Sequence, residues 1–180
     1  AFAEGHAPSL ALPLGSSFLT WAGWLLDGER EHHLVAEDAA TAARAARELA
    51  LIGVDRIGGW MTPGTARAAA GRWHRLERLT PQELAAAARD GGVHVVDVRN
   101  ESEWSAGHLP GVANIPLGAL GARAGELPRS GTIALHCQGG TRSVIAAALL
   151  EQRGVDRVVD LRGGYAAWAA AGLPVVGTGD

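Results

Sequence analysis

The chain has 180 residues, 47% hydrophobic and 19% charged, with a formal net charge of −3, the balance of an ordinary globular protein of one or two domains. No apolar run reaches the roughly 18 residues of a membrane span, and AFAEGHAPSL lacks the basic and apolar regions of a secretory signal, so no membrane partner is expected. All 16 basic residues are arginines, scattered rather than gathered into a stripe for nucleic acid, and the lone cysteine excludes a disulfide framework and implies a reducing, cytoplasmic setting.

In chain order, GHAPSLALPLG (5–15) resembles GHLPGVANIPLG (107–118) once one residue is gapped. SSFLTWAGWLLDGER (16–30) gathers Phe18, Leu19, Trp21, Trp24, Leu25 and Leu26, expected as local core, with an interface to another unit as the alternative. GVDRI (53–57) matches GVDRV (154–158), and AAAG (68–71) matches AAAG (169–172). Three matches in one order and at a nearly constant offset indicate a tandem duplication. The first copy aligns Phe2 near Trp104, with nothing before it that corresponds to VHVVDVR (93–99), so it is expected to start in mid-unit, as part of a longer protein. Residues 72–79 (RWHRLERL) are read as the linker, giving an incomplete domain over 1–75 and a complete one over 76–180.

The second copy carries the clearer local signals. LTPQELAAAARDGG reads as a helix with Thr80 as N-cap, Pro81 at its first position and Glu83 closing a capping box. VHVVDVR, ANIPL, TIALHC and RVVDL read as short strands, and SVIAAALLEQRG (143–154) as a helix ended by Gly154. Strands alternating with helices predict an α/β fold, each unit a mainly parallel sheet flanked by helices.

The only cysteine lies in HCQGGTRS (136–143). Alternation along TIALHC puts Ile133, Leu135 and Cys137 on one face and His136 on the other, which makes His136 a poor base for the thiol. Gly139 and Gly140 permit positive φ, so the chain can curl into a nest of N–H groups, with the following helix pointing its N-terminus at the same place. Such a ring of donors, with Arg142, favours a thiolate. Two alternatives stand at this point: a cysteine that is merely a small buried hydrophobe, and a metal site of His94, His136 and Cys137, which lacks any standard ligand spacing.

The second copy resembles the rhodanese (sulfurtransferase) family along its length. VVDVRNESEWSAGHLPGVANIPL is similar to the family's N-terminal signature, HCQGGTRS to its active-site loop, and DLRGGYAAWAAAGLPV to its C-terminal signature. The resemblance implies catalysis by Cys137, as a persulfide-forming nucleophile, and by Arg142, as the charged contact to an anion. Gln138, Gly139, Gly140, Thr141 and Ser143 would bind substrate. Asp97 and Arg99 would shape the pocket, while Glu103, His108, Gly163, Gly164 and Trp168 would support packing and loop geometry. No metal and no cofactor is implied beyond the covalent persulfide. The partners would be small anionic donors, such as thiosulfate or a low-molecular-weight persulfide, and thiol, sulfite or cyanide acceptors. Phosphatase and arsenate reductase relatives have a loop one residue longer between cysteine and arginine. The tighter loop here favours sulfur over a tetrahedral oxyanion, with phosphatase or reductase activity as the alternative.

The first copy departs where it matters. Ala36 faces Cys137, Thr41 faces Arg142, and Asp38 and Ala39 face the glycine pair, so this copy has no nucleophile. A degenerate unit before an active one also resembles the tail of metallo-β-lactamase/rhodanese fusion proteins. That implies an upstream persulfide dioxygenase-like domain as a possible partner, or a non-catalytic sulfur-carrier module that serves it.

Overall fold

The computed structural model describes residues 9–69, 75–128 and 130–177. They form two compact units, residues 12–69 and residues 75–177 with 9–11. Phe2, the GHAP start of the first repeat match, the end of the first AAAG and residues 72–74 of the expected linker lie outside the described residues.

The N-terminal unit runs α1 (Phe18–Leu25), β1 (His32–Val35), α2 (Ala39–Ala50), β2 (Ile57–Met61) and α3 (Pro63–Ala69), with β1 and β2 parallel. Asp38 caps α2 by accepting from the Thr41 N–H at 2.7 Å, a bond that holds its carboxyl below the usual range. Phe18, Ala22, Ala45, Leu49 and Val54 form the core, with Leu19 and Leu26 packed on it. Of the six apolar residues gathered in 16–30, Phe18, Leu19 and Leu26 belong to this core, while Trp24 stays 46% exposed.

The C-terminal unit runs β3 (Glu77–Leu79), α4 (Pro81–Arg89), β4 (Val93–Asp97), α5 (Glu101–Ala106), β5 (Ala113–Asn114), α6 (Leu117–Arg123), β6 (Thr132–His136), α7 (Thr141–Gln152), β7 (Val158–Leu161) and α8 (Gly164–Ala170). Its five strands are parallel, in the order β3-β7-β6-β4-β5. Leu84 of α4 and Trp168 of α8 pack against Ala134, Val159 and Leu161. On β6 every residue after Thr132 is buried, as expected of a central parallel strand covered on both faces. The run α1-β1-α2-β2-α3 repeats the order α6-β6-α7-β7-α8, and His32 faces Ile57 as Ile133 faces Val158.

Three expectations change. Glu77–Leu79, read as linker, is the edge strand β3; three residues are too few to display an alternation. ANIPL is a strand only over Ala113–Asn114, because Pro116, at φ −51, serves as N-cap of α6. The helix expected from Ser143 begins at Thr141, so Arg142 sits in its first turn.

Candidate active site

The site lies at the C-terminal end of central β6, where ligands of open parallel sheets bind. Cys137 is the first residue past the strand and is 1% exposed. Its Sγ accepts from the Gly140 N–H at 3.1 Å, and the Ser143 hydroxyl points to it at 3.7 Å. Of the two loop glycines only Gly140 takes positive φ, +101°, as N-cap of α7. Gly139 does not, which corrects the expectation for that residue. Gln138, Gly139 and Thr141 form the exposed rim.

Arg142 lies beside Cys137, but its fork is engaged elsewhere. Nη1 and Nη2 donate to Glu103 Oε2 and Oε1 at 2.6 and 2.7 Å. This bidentate pair lowers the Glu103 carboxyl and raises the Arg142 guanidinium, with proximity to Cys137 adding to the latter. Glu103 also accepts from the Asn100 N–H at 3.1 Å, as the third residue of a capping box on α5. One carboxylate thus fixes both a helix start and the cradle arginine.

Asp97 and Arg99 form a buried pair, Arg99 Nη2 to Asp97 Oδ2 at 2.7 Å, with side chains 0% and 2% exposed. Arg99 also donates to the Gly107 carbonyl at 2.6 Å and to Gln138 Oε1 at 3.3 Å, and lies 4.2 Å from the Tyr165 ring centroid. The pair is thus tied to Gln138 of the cysteine loop and to the Gly107 carbonyl. His136 is fully buried, its Nε2 3.6 Å from Asp97 Oδ2, and neither ring nitrogen has a hydrogen-bond partner among the described residues. Burial holds it below the usual histidine range, with Arg99 adding to this and Asp97 opposing it.

Three contributors went unseen in the sequence. Asp160 on β7 is 0% exposed and accepts from Arg78 Nε at 2.7 Å; Ser143 lies against the same carboxylate. Burial pushes the Asp160 carboxyl up, and the nearby Ser143 and the Arg78 guanidinium oppose it. A charged residue inside the otherwise apolar RVVDL was the available signal, whereas Arg78 lay in the stretch read as linker. Tyr165 N–H donates to the Cys137 carbonyl at 2.8 Å, which ties α8 to the nucleophile.

Residues 80–171 match the family model of the rhodanese-like domain, and the chain belongs to the rhodanese family. Among curated relatives, a sulfurtransferase of Allochromatium vinosum is 39% identical over 84 residues, 47% of this chain and 78% of that protein. Thiosulfate sulfurtransferase 16, chloroplastic, of Arabidopsis thaliana is 36% identical over 95 residues, 46% of this chain and 79% of that protein. The crystal structure of a rhodanese-related protein from Thermoplasma volcanium superposes with a TM-score of 0.52 at 31% identity, over 56% of this chain and 97% of that chain. Family and relatives together support sulfur transfer as the general class of activity.

Proposed function

We propose that the C-terminal unit moves a sulfane sulfur through a persulfide on Cys137, from thiosulfate or a low-molecular-weight persulfide to a thiophilic acceptor. The observation that supports this is the environment of Sγ: the Gly140 N–H and the Ser143 hydroxyl both point at it from the start of α7. These donors suit a sulfur anion, and the helix N-terminus adds partial positive charge. The Cys137 thiolate attacks the outer sulfur of thiosulfate, the sulfur–sulfur bond breaks, and sulfite departs with the electron pair. An acceptor thiolate, sulfite or cyanide then takes the outer sulfur and restores the thiolate, a two-step covalent scheme. His136, fully buried and with neither ring nitrogen hydrogen-bonded among the described residues, has no role in the transfer in this reading. The N-terminal unit, with Ala36 in the cysteine's place, serves structure or assembly in this reading.

Intact mass after brief exposure to thiosulfate or to glutathione persulfide tests it. A gain of about 32 Da, one sulfur, on the wild type and not on Cys137→Ser is expected. A folded, reduced sample that gains nothing from either donor would count against sulfur transfer. Hydrolysis of a phosphate ester dependent on Cys137 would favour the phosphatase alternative instead.

A further inference from the structure

Three guanidiniums reach the cysteine loop, and each is already joined to a carboxylate. Arg99 holds Gln138 while paired to Asp97. Arg78 is paired to Asp160, and its Nη2 would lie 3.1 Å from a Cβ placed on Gly140. Arg142, next to Sγ, is held by both oxygens of Glu103. Among the described residues these three pairs sum to no net charge, and the attraction left for an anion comes from backbone N–H groups and the partial charge of the α7 terminus, about half an elementary charge. The Cys137 thiolate already draws on that field, so the least charged donor is favoured, and each further negative charge meets the Glu103 carboxylate, whose side chain is 31% exposed at the rim.

We propose that Glu103 sets the charge of the sulfur donor: by neutralising Arg142 it tunes the cradle to singly charged sulfane donors over the dianion thiosulfate. This rests on the sulfurtransferase reading and adds a substrate class, of which organic thiosulfonates are the simplest members. The transfer balances for both donors. Cys137 thiolate and RSO2S⁻ give enzyme persulfide anion and RSO2⁻, while thiosulfate gives the same persulfide and SO3²⁻. In each the sulfur–sulfur bond of the donor breaks and its electron pair leaves with the sulfinate or sulfite.

The test compares kcat/KM for thiosulfate and methanethiosulfonate in the wild type, Glu103→Gln and Glu103→Asp. The ratio of donors, taken relative to the wild type, cancels their intrinsic difference in reactivity. Glutamine keeps the acceptor that caps α5 but not the charge, and aspartate keeps the charge on a shorter arm. Glu103→Gln is expected to shift the ratio toward thiosulfate by about tenfold at low salt, an amount appropriate to one partly exposed charge. Glu103→Asp should stay within about twofold of the wild type by the same reasoning. Added salt should lower the thiosulfate rate more in Glu103→Gln, where Arg142 is freed, than in the wild type, a change that a merely structural role would not produce. Sulfur transfer with an unchanged ratio in Glu103→Gln overturns the proposal and leaves the sulfurtransferase reading intact. A wild-type thiosulfate reaction that falls steeply with added salt, the sign of net attraction for the dianion, overturns it without any variant. Transfer from neither donor overturns both.

Discussion

Gly164 lies directly against the carbonyl of Cys137. Its φ is +61°, and a Cβ there would overlap the Cys137 oxygen and crowd the Gln138 carbonyl. Glycine is thus required by both conformation and space, at the point where α8 meets the nucleophile. Gly164→Ala is expected to cost about 2 kcal/mol or more, read as a lower denaturant midpoint, and to slow persulfidation because the loop must shift. Gly139→Ala is the matching control: its φ is not positive and nothing lies within 4 Å of the added carbon, so stability should change by less than about 0.5 kcal/mol.

Arg99→Ala leaves the Asp97 carboxylate buried without its partner. A loss of about 3 to 5 kcal/mol is expected in chemical denaturation, enough to threaten folding. Arg99→Lys should recover little of it, because one ammonium cannot serve Asp97, the Gly107 carbonyl, Gln138 and the Tyr165 ring at once. Near-full stability in the lysine variant would refute the multidentate role.

His136 makes stability depend on pH. Its folded value lies below the ordinary histidine value of about 6.5, so below that pH the unfolded chain binds a proton that the native state refuses. The stability it contributes is complete above about pH 6.5 and is lost as pH falls toward the depressed folded value, at no more than about 1.4 kcal/mol per pH unit. Melting temperatures from pH 7 to pH 5 should decline less steeply in His136→Phe, which has no proton to take up. Equal slopes would refute this.

Ser143→Ala removes the hydroxyl that donates to Cys137 Sγ. The persulfidation rate should fall by about two- to tenfold, the scale of one modest hydrogen bond, and stability by no more than about 1 kcal/mol. A faster reaction in the variant would contradict the assignment of the hydroxyl as a donor to sulfur.

The sequence by itself determined the features that depend on near neighbours. The Thr80–Glu83 capping box, the strand ending at the cysteine, and the short loop between Cys137 and Arg142 all lie within a few residues, where dihedral preference and spacing govern the outcome. Three ordered signatures were enough for the family and the α/β class. Tertiary structure alone decided which charges meet. Arg78 and Asp160 are 82 residues apart and become partners only because β3 pairs with β7, while Glu103 and Arg142, 39 apart, meet because the starts of α5 and α7 converge at the cysteine loop. A hydrogen bond across such separations is set by strand order and helix placement, which no local pattern encodes. For that reason the arginine expected as the charged contact to an anion emerged already bound to a carboxylate.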